Sequence, residues 1–136
     1  MRWQLLALAA GLAGLGISIY LTAVHYAGVP LACPANGTIN CEAVLSSPYA
    51  VIAGTALPTS AAGIVWFAVS TLLWTRRPGR IQLAWSIAGL AAVLWLVFVE
   101  IVLVGAICIW CTAAHVLVLL IFLIALQSAN GGRVRT

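Results

Sequence analysis

Apolar residues arrive in four long runs, over residues 5–27, 58–75, 82–104 and about 108–127, and polar residues collect between and around them. Each run has the length a helix needs to cross the hydrocarbon core of a bilayer, about 20 apolar residues. The pattern predicts an all-α integral membrane protein: a four-transmembrane-helix bundle forming one domain over residues 1–136, with an outward loop over residues 28–57. Between the third and fourth runs there is hardly a polar residue. The hairpin turn there is placed by run length and by Gly105, because glycine allows backbone conformations that other residues resist. No internal repeat or low-complexity tract is evident.

Composition agrees with the pattern. Of 136 residues, 65% are apolar and 6% charged, where a soluble domain carries roughly 25% charged residues. The length accommodates about four spans and no additional soluble domain. A formal charge of +4 suggests nucleic acid at first sight, but the arginines sit in short clusters between apolar runs and form no basic stripe. Arg2 precedes the first run, Arg76, Arg77 and Arg80 separate the second and third, and Arg133 and Arg135 follow the fourth. With four spans, all fall on one side, which the positive-inside rule makes cytoplasmic. Both termini are then cytoplasmic, the chain is a multi-pass protein of the cell (inner) membrane, and the loop faces outward. Trp3, Trp74 and Trp85 are expected near the inner interface, Tyr26 and Trp110 near the outer one, and Trp66 and Trp95 in packing. The alternative, a cleaved signal over the first run, would leave three spans and split the arginine clusters between the two sides.

All four cysteines lie on the outward side. Cys33 and Cys41 are in the loop, and Cys108 and Cys111 open the fourth run. Disulfides persist in oxidising compartments and are rare in the cytosol, so two outward pairs point to thiol chemistry. Cys108-Ile109-Trp110-Cys111 is a C-x-x-C, whose sulfurs can bridge across one helical turn and reopen. At a helix N-terminus the positive end of the dipole favours the reactive thiolate. Other readings of this motif are a static disulfide, half a metal site, or buried small hydrophobes. Pro34, Asn36 and Gly37 suit a turn between Cys33 and Cys41, which is either a mobile carrier of electrons or a staple worth about 2 to 3 kcal/mol. A four-cysteine zinc site is a further alternative.

Two polar residues lie within the apolar runs. Glu100 is about one turn inside the outer end of the third, where a carboxylate is costly and usually functional; a proton relay or a ligand contact is expected, against a snorkelling residue at the interface. His115 is one turn beyond Cys111 on roughly the same helix face, placed to hydrogen-bond a ligand or to activate the thiolate. His25 is expected at the outer interface. Asn36-Gly37-Thr38 fits a glycosylation sequon, read here as a turn.

These residues resemble the vitamin K epoxide reductase family in its bacterial disulfide-forming branch. The resemblance is carried by Ser18-Ile19-Tyr20-Leu21-Thr22, by Cys33 followed by Asn40-Cys41-Glu42-Ala43-Val44 and Ser46-Ser47-Pro48-Tyr49-Ala50, by Gly63, and by the C-x-x-C. It implies a four-helix bundle around a quinone of the ubiquinone, menaquinone or vitamin K type, with no metal. A half-helix over residues 42–49 would lie over the pocket as a lid, placing Val44, Ser47 and Tyr49 beside Glu100 and His115 as quinone-binding residues. It also implies that Cys33 exchanges with a substrate protein's thiol, that Cys41 relays electrons to Cys108, and that Cys111 faces the quinone. The electron donor would be a separate secreted or periplasmic thioredoxin-like dithiol protein. Two departures, His115 and Thr59 where the animal enzymes carry tyrosine and asparagine, favour plain quinone reduction over epoxide reduction. Rival classes are a small four-helix transporter using Glu100, which leaves the cysteines unexplained, and a structural membrane protein with static disulfides. Another quinone-linked disulfide-forming family has its C-x-x-C in the first outer loop, the reverse of the order here.

Overall fold

The computed structural model describes residues 1–133, and over them the chain is helical, with three isolated backbone bridges and no strand. Helix α1 covers Arg2–Ala27, α2 is a short helix over Cys41–Leu45, α3 covers Thr59–Trp74, α4 covers Arg80–Phe98 and α5 covers Ile109–Arg133. Between α2 and α3 the chain makes a 3-10 turn over Pro48–Ala50, and α4 runs on as a π-helical turn over Val99–Val104. Arg135 lies outside the described residues.

Three segments, Arg2–Ala27, Arg80–Val104 and Ile109–Gly131, are long and apolar enough to cross a membrane. The second apolar run is shorter as a helix than as a run. It is helical over 16 residues because Pro58 sits ahead of it in an extended conformation and Thr75 ends it. At 1.5 Å per residue it rises about 24 Å, short of the roughly 30 Å hydrocarbon core of a bilayer.

Helix α1 packs against α3 and α5, and α4 packs against α5. The buried face of α1 consists of Ala7, Ala10, Gly11, Gly14, Ser18 and Leu21, which recur at helical spacing. Small residues let backbones approach closely, and this kind of contact holds helices together in lipid, where apolar surface alone gives no driving force. Across from it, Phe67 of α3 fills the space over Gly14. Phe67, Trp74, Val118, Ile121 and Ile124 complete this core. Large apolar side chains such as Leu12, Val65, Leu94 and Val116 point outward, as on a lipid-facing surface.

Polar side chains tie the helices together. Gln4 Nε2 donates to the Trp74 carbonyl at 2.8 Å, and Gln82 Nε2 donates to the Leu73 carbonyl at 2.9 Å. These bonds gather the N-terminus of α1 and the Arg76, Arg77 and Arg80 loop at one end of the bundle. Trp85 Nε1 donates to Ser70 Oγ at 2.9 Å, joining α3 to α4. Trp95 departs from the packing role expected of it, since it is 57% exposed with its ring against Phe98 on the outer face of α4. Trp74, at the arginine end of the bundle, is 1% exposed within the core.

Candidate functional site

The opposite end of the bundle carries the sulfur atoms. Residues 28–40 have no helix, yet they are fastened at several points. Asn36 and Ile39 close a turn by mutual backbone bonds, Ile107 N–H donates to the Thr38 carbonyl at 2.9 Å, and Asn40 N–H donates to the Ile107 carbonyl at 3.0 Å. The loop is thus stitched to the segment leading into α5. Asn40 Oδ1 accepts the Ala43 N–H at 3.0 Å and caps α2, which starts at Cys41. Such a cap satisfies a donor the helix leaves open and is worth about 1 kcal/mol.

Cys33 and Cys41 are bonded to each other, with an S–S distance of 2.06 Å, while Cys108 and Cys111 are free. Cys41 and Cys108 are 1% and 0% exposed and form one buried cluster with Val44 and Ala106, against which Cys33, Cys111 and Trp110 pack. The two pairs, far apart in sequence, therefore share one cluster. Cys33, the partly exposed member of its pair, is the more open to an incoming thiol. Cys108 sits at the N-cap of α5, where its Sγ accepts the Cys111 N–H at 3.3 Å. First-turn N–H groups directed at a sulfur are the arrangement that stabilises a thiolate.

The turn before Cys108 is organised by Glu100, which is 6% exposed. In the wide π turn its carbonyl accepts from the Gly105 N–H and from the Ala106 N–H, the latter at 3.1 Å, while its Oε2 accepts the Cys108 N–H at 3.3 Å. Gly105 makes this reversal possible, since its φ of 71° lies in the left-handed region. π turns inside helices recur at functional sites. Where a single half-helix was expected over residues 42–49, the chain forms two pieces, α2 and the 3-10 turn. Pro48 disfavours a helical conformation at Ser47, which is extended at φ −69° and ψ 155°, so the helix ends before it.

Beneath these pieces lies a mainly apolar cavity of about 280 Å³, near the lower end of the roughly 300 to 1,000 Å³ usual for ligand pockets. Val44, Ser47, Tyr49, Glu100 and His115, the five residues singled out in the sequence as ligand-binding, all line it. Of the four cysteines, Cys111 alone does so. Thr59 also lines it, its Oγ1 donating to the Tyr49 carbonyl at 3.1 Å and tying α3 to the 3-10 turn. Three further lining residues were not expected there. His25, expected at the outer interface, also lines the cavity; its spacing of seven from Ser18 on the buried face of α1 was the available signal. Phe67 and Trp66 form an aromatic wall, with Trp66 stacked on Trp85 at a centroid distance of 6.2 Å. Trp66 Nε1 is buried without a hydrogen-bond partner. Its ring rests on Gly89 of α4, where a Cβ would collide with the indole.

Among the described residues no group of three or more His, Cys, Asp or Glu side chains is placed to hold a metal ion. Cys33 and Cys41 are bonded to each other, so in this structure their sulfurs are not free for a four-cysteine site.

The family model described as the vitamin K epoxide reductase family matches residues 5–126. This chain belongs to that family. Comparison with the curated proteins finds no significant match. Membership implies a membrane oxidoreductase acting on thiols and disulfides, in a family whose members use quinones as a class.

Proposed function

We propose that this chain is a membrane thiol–quinone oxidoreductase that reoxidises a secreted thioredoxin-like dithiol protein and supports disulfide bond formation. The observation that carries the reading is the gathering of all four cysteines in one cluster, with Cys111 alone reaching the wall of an apolar cavity beside Glu100 and His115. In this reading the chain is a single membrane domain in which α1, α3, α4 with its π turn, and α5 are four spans, α3 crossing with the help of its flanking residues or local thinning of the bilayer. The arginine end faces the cytoplasm and the cysteine end faces out. Helix α2 and the 3-10 turn together form the lid.

The cavity suits a quinone. An aromatic wall and apolar surroundings accept a flat ring, and Glu100 and His115 supply polar groups close to Cys111. Bound there, a quinone supplies an acceptor for two electrons and two protons.

The chain's own steps begin at Cys33. A partner thiolate attacks Cys33 Sγ, forming a mixed disulfide and releasing the Cys41 thiolate; the partner's second thiolate then displaces Cys33 and leaves with its own disulfide. With the inner pair oxidised, Cys41 attacks Cys108 and releases Cys111. Cys33 next attacks Cys41, restoring the outer disulfide and leaving Cys108 and Cys111 as the dithiol. Two electrons then leave through Cys111 as the inner disulfide re-forms, and Glu100 and His115 hold the protons released. Every sulfur is returned to its starting state.

The direct test is anaerobic mixing of the purified protein with a reduced thioredoxin-like dithiol protein and a quinone, followed by quinone absorbance. Stoichiometric loss of the oxidised quinone with partner disulfide formation is expected. Quinone left oxidised while the partner is consumed would sink the proposal.

A further inference from the structure

The residue before Cys33 is held from both sides by aromatic side chains on different helices. Ala32 N–H donates to Tyr20 Oη of α1 at 3.4 Å, and the Ala32 carbonyl accepts from Trp110 Nε1 of α5 at 2.9 Å. The two rings are themselves in contact, with centroids 4.9 Å apart at an interplanar angle of 54°. Ala32 is exposed, so its peptide groups had water available and have side-chain partners instead. On the far side of Cys33, the backbone bonds of Thr38 and Asn40 to Ile107 pin the chain just ahead of Cys41. Cys33 therefore lies between two anchors, neither of which is made by the disulfide itself.

From this geometry we infer that Tyr20 and Trp110 form an aromatic clamp on Ala32 that positions Cys33 against Cys41. They act as positioning residues that raise the effective concentration of one thiol at the other. The inference rests on the reading above, in which the outer disulfide opens and closes in each turnover. It adds a reason for a tryptophan inside the C-x-x-C: Trp110 ties the helix carrying the inner pair to the loop carrying the outer one. Held between anchors, Cys33 meets a partner's thiol by turning its own side chain, with no swing of the loop. After release of the oxidised partner it is still within reach of Cys41.

The test isolates the outer pair. In a Cys108→Ser/Cys111→Ser background, where serine keeps the α5 cap, the Cys33–Cys41 disulfide is equilibrated with reduced and oxidised glutathione, and the two forms are counted after alkylation. Trp110→Phe keeps the ring contact and deletes the donor. It is expected to lower the equilibrium constant for disulfide formation about three- to tenfold, the scale of one hydrogen bond. Tyr20→Phe, which removes the longer bond, should lower it by a smaller factor in the same direction. A purely structural role would cost helical content by circular dichroism and leave the equilibrium alone. A Trp110→Phe constant within twofold of the background, with helical content intact, would overturn the clamp; should that variant misfold, the Tyr20→Phe constant decides on the same criterion. If the background disulfide does not exchange with glutathione at all, the clamp and the relay reading fail together, whereas exchange unaffected by either variant removes the clamp alone.

Discussion

Glu100 Oε2 accepts the backbone N–H of Cys108 at 3.3 Å, so the carboxylate that lines the cavity also touches the first residue of the inner cysteine pair. A group in that position can exchange a proton with the cavity and the thiols without moving far. Glu100→Gln keeps the size and an oxygen able to accept from Cys108 but loses the ionisable proton. Quinone reduction is expected to slow by about 100-fold, the lower end of what a positioned acid or base contributes. A single round of partner oxidation by the outer disulfide should keep its rate. Stopped-flow absorbance of the quinone separates the two, and an unchanged quinone rate would show that Glu100 carries no proton.

Cys111 is the cysteine at the cavity wall, and in the proposed order of transfers its removal interrupts the last step. Cys111→Ala should oxidise one equivalent of partner through the outer disulfide and then stop, with no quinone reduced. Cys33→Ala should oxidise none. Acid-quenched, alkylated samples resolve these states, and multiple turnovers by Cys111→Ala would end the proposed order of transfers.

Much of this arrangement was legible in the chain because two independent patterns coincide: arginines mark one end of the apolar runs and cysteines mark the other. Gly105 marked the hairpin, since few other residues fit a left-handed turn between two apolar helices. The cavity's floor was harder to read. In a chain this apolar, Trp66, Phe67 and Gly89 stand out from no polar background, so periodicity does not show which face they occupy. The π turn left no sequence signal either, and it is what lets the backbone and side chain of Glu100 organise the approach to Cys108. Pro48 was in plain view, and its effect on Ser47 was enough to divide the expected lid.

His115 lines the cavity one turn beyond Cys111. His115→Leu keeps the bulk and removes the hydrogen-bonding nitrogens. Menadione affinity, followed by quenching of tryptophan fluorescence, is expected to fall about five- to tenfold, as for the loss of one hydrogen bond. Exchange between the outer disulfide and a partner thiol should be unaffected. Wild-type affinity in this variant would remove His115 from ligand binding.

Gly89 supports the aromatic wall by having no side chain. A Cβ there would run into the Trp66 indole, which is stacked between α3 and α4. Gly89→Ala must therefore push Trp66 away from α4 and toward the cavity. Overpacking of this kind costs about 1 to 3 kcal/mol, and the displaced ring should weaken menadione binding while the outer disulfide exchanges normally. Gly16, whose added Cβ meets nothing within 4 Å, is the matched control. Equal menadione affinity in Gly89→Ala and Gly16→Ala would mean that Trp66 does not shape the pocket.

The proposed direction of electron flow depends on which side of the membrane the cysteine cluster faces. Cys33 is partly exposed and Cys41 is buried, so after mild reduction of intact cells a membrane-impermeant maleimide should label Cys33 well before Cys41. A cysteine introduced at Arg77, exposed at the opposite end of the bundle, should react only after the cells are permeabilised. Labelling of the Arg77→Cys site from outside, with Cys33 protected until permeabilisation, would reverse the orientation and place the thiol chemistry in the cytosol, where a secreted dithiol partner has no access.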